Sequence, residues 1–66
     1  MRIDRKKLKI ALIKKDMSQK ELSKRSGVAR ATISYIVNGK SCSDEVGQKI
    51  AAALDVNVTD ILEYEG

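Results

Sequence analysis

Apolar residues recur along the chain at intervals of three and four positions, which is the spacing of one face of an α-helix. The first such stretch follows Asp4, a residue type favoured as an N-cap, and predicts a helix that runs to about Lys15. Its basic side would also suit an amphipathic helix on a membrane surface, but so short a chain needs the apolar side for its core. The apolar side comprises Leu8, Ala11, Leu12, Ile10 and Ile13.

Two shorter helical patterns follow, separated by a single glycine. Ser18 is a good N-cap for the first of them. Gly27 predicts the end of that helix, because glycine readily adopts the positive φ of a C-terminal cap. The next helix is predicted at about residues 29–37, with a turn at Asn38-Gly39-Lys40 after it. Two helices joined by a tight turn containing glycine form a helix-turn-helix, here at about residues 18–38.

The C-terminal third of the chain predicts two further helices. Ser43 caps the fourth, and Gly47 inside it indicates the close approach of another helix. Asn57 begins a fifth, short helix that runs to about Tyr64. Together the patterns predict an all-α fold, a compact five-helix bundle, in which residues 1–66 form a single domain.

The start of the third helix breaks two local rules. Its first turn carries Arg30 and no carboxylate, although the helix dipole disfavours a cation there by roughly 0.3–1 kcal/mol. Ala29 stands where a capping Ser, Thr, Asp or Asn is expected. An ordinary helical hairpin would carry acids in this turn. A DNA major groove accounts for both departures, because phosphates offset the charge and Arg binds guanine in a bidentate manner.

Two positions flanking this helix suit phosphate groups. Gln19 lies at the tip of the second helix, beside backbone N–H groups that can bind an oxyanion. The turn after the third helix offers the Asn38 and Lys40 side chains, and we expect backbone amides freed in the turn to help them hold a second phosphate. Each of these residues taken alone is also compatible with an idle surface position or a plain helix terminator.

Charge is distributed unevenly along the chain. Residues 1–30 hold eleven Lys and Arg against three acids, a net charge of +8, whereas residues 31–66 carry a net charge of −4. A basic half is typical of proteins that bind a polyanion, although lysine-rich helices also serve solubility alone.

Composition excludes several classes of function. A lone cysteine, Cys42, and the absence of histidine argue against disulfides, a zinc site or another cofactor, and no nucleophile–base pair indicates an enzyme. No apolar run reaches a membrane span and no signal peptide is present, so a cytoplasmic protein is expected. With only two aromatic residues, stacking on single-stranded nucleic acid is not expected.

These residues together resemble the Cro and phage-repressor type of helix-turn-helix proteins, the XRE family of bacteria and phages. The resemblance covers about Leu8 to Leu62 and is specific as a whole, whereas any one element of it would be weak. The matching positions are Gln19, Leu22, Ser23, Gly27, Thr32-Ile33-Ser34 and Asn38-Gly39-Lys40.

The resemblance implies binding of operator DNA as a symmetric dimer, with no small-molecule ligand. The residues that it places on DNA phosphates are Gln19, Thr32, Asn38 and Lys40, and those that it places at base edges are Arg30, Ala31, Ser34 and Tyr35. The apolar residues expected at the dimer interface are Val56, Val58, Ile61, Leu62 and Tyr64. The expected function is therefore a homodimeric transcriptional repressor on a palindromic operator. An antitoxin or protein-interaction module that binds DNA secondarily is the alternative.

Five positions depart from the family pattern, and one of them is Ala29, where a capping Ser is common. Ser23 and Ser26 stand where Ala and an apolar residue are typical, and we expect them to loosen the packing between the second and third helices. Leu12 and Val37 stand where many members have an Arg–Glu pair, so an apolar contact is expected to replace it.

Overall fold

Four α-helices and one 3-10 turn make up the computed structural model, which describes residues 1–63. In chain order the elements are α1 (Arg5–Lys14), α2 (Gln19–Ser26), α3 (Arg30–Val37), α4 (Asp44–Ala53) and the 3-10 turn (Val58–Asp60). α2 packs against α3 and α4, α1 packs against α3, and α4 packs against the 3-10 turn. None of the helices within these residues is long and apolar enough to cross a membrane.

Three of the helices begin at the N-caps that the sequence predicts. The Asp4 carboxylate accepts from the N–H groups of Lys6 at 2.8 Å and Lys7 at 3.1 Å. Ser18 accepts from the third residue of α2 at 3.1 Å, and Ser43 accepts from the third residue of α4 at 3.2 Å. Each cap satisfies a backbone donor that has no partner inside its helix, and so fixes where the helix starts.

The predicted fifth helix is wrong for the residues that the structure describes. A capping box between Asn57 and Asp60 begins it, but only the 3-10 turn Val58–Asp60 forms. The chain then leaves the helical path because Ile61 and Leu62 pair with the N-terminal segment instead of the next helical turn. The remainder of the predicted helix, including Tyr64, lies outside the described residues.

The N-terminal segment, residues 1–3, precedes α1 and joins two distant parts of the chain. Ile3 and Leu62 form an isolated antiparallel bridge. The Asp4 N–H donates to the carbonyl of residue 61 at 2.8 Å, and the Glu63 N–H donates to the carbonyl of residue 2 at 3.0 Å. On the other side of the segment, the Cys42 N–H donates to the carbonyl of residue 1 at 2.9 Å. The segment therefore ties the loop after α3 to the C-terminal stretch.

The core is entirely apolar among the described residues. α1 contributes only Leu8 and Leu12 to it, whereas Ile10 is 52% exposed and Ile13 is 77% exposed, contrary to the predicted inner side of that helix. The buried residues are Ile3, Leu8, Leu12, Leu22, Val28, Ile33, Ile36, Val37, Ile50, Ala51, Leu54 and Ile61. Leu12 and Val37 both belong to this cluster. Buried apolar side chains therefore occupy the two positions where many family members have the Arg–Glu pair.

Gly47 in α4 accommodates a side chain rather than another helix. A Cβ atom at this position would meet the sulfur of Met1. The close approach that the sequence indicates therefore exists, but its source is the N-terminal residue, whose side chain packs against the core. The N-terminal segment is held to the domain by this contact as well as by its backbone hydrogen bonds.

The Asp4 cap predicts that the free energy of unfolding decreases at acidic pH. The pKa of its carboxyl group lies below the ordinary 3.8, chiefly because the Lys7 N–H donates to the ionised form. A lowered folded-state pKa means that the folded chain binds fewer protons, so this contribution is full above pH 3.8 and is lost as the pH falls through the folded-state pKa. We expect Asp4→Asn, which keeps a capping oxygen but does not titrate, to lose less unfolding free energy between about pH 6 and about pH 3 than the natural sequence. Equal losses in urea unfolding at the two pH values would contradict this role.

Candidate nucleic-acid interface

The turn between α2 and α3 is fixed by one glycine and two serines. Gly27 has a φ of +73°, and its N–H donates to the Ser23 carbonyl at 3.0 Å. The Ser23 hydroxyl donates to the Val28 carbonyl at 2.7 Å, and the Ser26 hydroxyl accepts from the Val28 N–H at 3.2 Å. The serines that depart from the family pattern thus satisfy both backbone groups of buried Val28. These two hydrogen bonds hold the turn together, and they oppose the loosening that the sequence predicts at Ser23 and Ser26.

The N-terminus of α3 carries an arginine and no side-chain cap. Ala29 precedes the helix and makes no capping hydrogen bond, and the first turn holds no acid. Arg30 is exposed and has no ion-pair partner within residues 1–63. Its charge and the helix dipole therefore add at this point of the surface. Such a site attracts an anion or an electronegative base edge.

The side chains predicted to face base edges share the exposed side of α3. Its inner side is formed by Ile33, Ile36 and Val37, which are all buried. Tyr35 is 58% exposed. The exposed residues are Arg30, Ala31, Ser34 and Tyr35. Helical spacing puts them on one continuous strip of surface, which matches a helix that lies in a groove.

The turn after α3 offers side chains but not the free amides that the sequence suggested. The N–H of Asn38 donates to the Ser34 carbonyl at 3.1 Å, and that of Gly39 donates to the Ile36 carbonyl at 3.0 Å. The Lys40 N–H donates to the carbonyl of residue 35 at 3.0 Å. These three donors close the end of the helix, so the predicted amide contribution to a phosphate site is wrong. Asn38 and Lys40 themselves are exposed.

The other two predicted phosphate contacts lie at helix positions with different exposure. Gln19 is the first residue of α2 and is exposed next to the Ser18 cap. Thr32 lies in α3 and is half-buried, so only part of its side chain is open to a ligand.

The structure places basic residues near the turn after α3, a position that the sequence did not predict for them. A cleft of about 470 Å³ separates the start of α1 from Asn38 and Gly39. Arg2 crosses it, with its guanidinium 3.3 Å from the Gly39 carbonyl oxygen and 3.4 Å from the Glu63 carboxylate. The cleft is lined by Arg2, Ile3, Asp4, Arg5, Lys6, Asn38, Gly39 and Glu63. The basic start of the chain was visible in the sequence, but its position depends on the pairing of the termini.

The proposed dimer residues divide into three groups. Val56 and Val58 are half-buried and line a depression of about 390 Å³ between α4 and the 3-10 turn. Leu62 is also half-buried. Ile61 is 1% exposed and belongs to the core of the monomer, so its side chain offers no surface to a partner. Tyr64 lies outside the described residues.

The surroundings of Cys42 favour a packed thiol over a reactive one. Within residues 1–63 no group of three or more His, Cys, Asp or Glu side chains is arranged to hold a metal ion. Burial raises the pKa of the Cys42 thiol above its ordinary 9.0, which disfavours the thiolate. This side chain is partly buried and packs against the core.

Comparison with known proteins identifies one family. The model of the Cro/C1-type helix-turn-helix DNA-binding domain matches residues 7–66. Neither the comparison with curated proteins nor that with solved structures gave a match.

The hydrogen bond from Ser23 across the turn predicts that removing this hydroxyl lowers the stability of the domain. We expect Ser23→Ala to lower the unfolding free energy by about 0.5–1.5 kcal/mol relative to Ser34→Ala, because only Ser23 donates to a backbone carbonyl. Both substitutions replace a helical serine, so the shared gain in helix propensity cancels in the comparison. Urea unfolding of the two variants measures the difference. Equal stabilities would mean that the Ser23 bond contributes nothing to the turn.

Proposed function

The chain belongs to the family of Cro/C1-type helix-turn-helix DNA-binding domains, and we propose that it is a transcriptional repressor that reads its operator with α3. The observation that carries this proposal is the exposed start of α3, where Arg30 has neither an acidic neighbour in the first turn nor an ion-pair partner among the described residues. Repression follows when the bound protein occupies a promoter and excludes the polymerase.

α3 enters the major groove with its exposed strip toward the bases. Arg30 donates to the O6 and N7 atoms of a guanine, and Ala31 contacts a thymine methyl group. Ser34 lies one turn further along the helix, where its hydroxyl donates to or accepts from a base edge. Tyr35 covers the flank of the strip. The first turn of the helix thus carries most of the sequence preference.

Phosphate contacts on both sides of α3 hold the helix in register. Gln19 contacts the backbone from the tip of α2, and Thr32 contacts it from α3 itself. Asn38 and Lys40 contact it through their side chains, since the amides of that turn are used inside the protein. Such contacts set orientation and contribute to affinity on any sequence.

A homodimer on a palindromic operator is the assembly that we propose, as the resemblance to Cro and phage repressors implies. Two recognition helices related by a two-fold axis read half-sites about 34 Å apart, which is one turn of DNA. Val56, Val58 and Leu62 are the described residues that we propose for the dimer surface, because each is apolar and only half-buried in the monomer. In the alternative function, an antitoxin or interaction module, DNA binding would be secondary to a protein partner.

A binding selection from a random duplex pool at two salt concentrations tests the proposed function. Enrichment of a palindrome with half-sites one helical turn apart is the expected result. Binding that is sensitive to salt but blind to sequence would contradict it, since the basic half alone would then account for the affinity.

Arg30→Ala tests the assignment of the reading residues. We expect it to weaken binding to the selected operator by roughly 1–3 kcal/mol and to relax preference at one base pair, because a bidentate contact is lost. Lys49→Ala is the matched control, since Lys49 pairs with Glu45 in α4 and has no proposed contact. Unchanged operator preference in Arg30→Ala would remove this residue from the reading surface.

Lys40→Ala tests the phosphate contacts separately. We expect it to weaken operator and unrelated duplexes by the same factor and to reduce the slope of log K against log salt by about one, since one ammonium–phosphate contact is lost. Fluorescence anisotropy titrations at several salt concentrations give both quantities. A loss confined to the operator would assign Lys40 to base reading instead.

A further inference from the structure

Two isoleucines on α1 are exposed on the surface and are not part of the core. Ile10 is 52% exposed and Ile13 is 77% exposed, whereas Leu8 and Leu12 of the same helix are buried. The two exposed side chains are three residues apart, so they are neighbours on the outer face of the helix. Single apolar residues on a surface are ordinary, but an adjacent pair forms a small apolar patch.

The patch continues into a groove. It is lined by Ile10 and Ala11 of α1 and by Val56 from the C-terminal part of the chain, together with Lys7, Lys14, Lys15 and one carboxylate, that of Asp60. The groove has a volume of about 340 Å³. A partner that covers Ile13 and Ile10 can therefore continue along Ala11 into the groove, which is the pattern of a docking surface rather than of two isolated side chains.

Three lysines frame the isoleucine pair. Lys6 and Lys14 lie four residues before and after Ile10, and Lys9 lies four residues before Ile13, so all three flank the patch on the same helix. Each is exposed, and none of the three ammonium groups has an ion-pair partner among the described residues. These three lysines, the frame of the patch, therefore surround its apolar centre with positive charges that form no ion pair within the described residues.

We propose that this α1 face is a docking site for an acidic amphipathic helix of another protein. Such a helix presents apolar residues three and four apart to Ile10 and Ile13, and carboxylates on either side of them to Lys6, Lys9 and Lys14. The contact combines an apolar centre with a polar rim, as protein interfaces do. This site is separate from the residues assigned to DNA bases.

The charges argue against a second copy as the occupant. A two-fold contact places the same patch on both subunits and brings one set of lysines against the other. Like charges held together across an interface oppose association. An anionic membrane supplies the complementary charge, but two isoleucines provide a small apolar area for an interfacial helix whose leucines are committed to the core.

The test uses a synthetic helical peptide with leucines at the i, i+3, i+4 and i+7 positions and glutamates elsewhere. Fluorescence anisotropy measures its binding to the full chain, and amide chemical shifts locate the contact. We expect the largest shifts in α1 around Ile10 and Ile13. A peptide of the same composition with scrambled order should bind about tenfold more weakly or worse, because its leucines no longer form one face.

Three variants separate docking from general electrostatic attraction. The double variant Ile10→Ala, Ile13→Ala should reduce peptide affinity about tenfold and leave the melting temperature nearly unchanged, since both side chains are exposed. Lys9→Ala should also weaken the peptide, whereas Lys24→Ala, an exposed helical lysine of α2, should not. Operator binding of the double variant, measured in parallel, should stay unchanged.

Four results would overturn the proposal. The first is equal affinity for the ordered and scrambled peptides, and the second is unchanged peptide binding by the double alanine variant. The third is sedimentation that shows a dimer lost in that variant, which would assign the face to a second copy. The fourth is binding to phosphatidylglycerol vesicles that the same variant abolishes, without peptide binding, which would assign the face to a lipid surface.

Discussion

The left-handed conformation at Gly27 determines where the surfaces of α2 and α3 point. A residue with a side chain would be strained at a φ of +73°, yet nothing lies within 4 Å of the position that a Cβ would occupy. The constraint is therefore one of backbone conformation and not of space. The Ser23 and Ser26 bonds to Val28 hold the chain just after the turn. With the crossing of the helices fixed, burying the inner side of α3 leaves its opposite strip exposed.

Local chemistry explains why much of this fold was predictable. Asp4, Ser18 and Ser43 each accept from a backbone N–H two or three residues ahead, so the signal and its effect lie within one helical turn. The same is true of Gly27. The exposed strip of α3 follows from the spacing of its apolar residues, and the arginine without a cap or acid was readable as a departure from local rules.

Non-local pairing explains what the sequence did not predict. The bridge between Ile3 and Leu62 spans nearly the whole chain, and no local pattern identifies its partner. Because this pairing takes up the stretch after Asp60, the fifth helix stops at a 3-10 turn and Ile61 enters the core. The same pairing brings the basic start of α1 beside Asn38. The outward position of Ile10 depends on this assembly too, since a helical pattern cannot tell which part of a broad apolar arc the core will use.

α1 therefore contributes residues to the core on one face and to the protein surface on others. Its leucines fill the core, and its first turn brings Arg5 and Lys6 to the cleft beside the turn after α3. Lys6 also belongs to the frame of the isoleucine patch, because it lies four residues before Ile10. A DNA phosphate that reached the cleft would meet the same ammonium group as a carboxylate of the docked helix. In that case an acidic partner at α1 would weaken DNA binding, and DNA would weaken binding of the partner by the same factor. Through Lys6, the helix that fills the core would in this way couple the binding of a protein partner to the binding of DNA.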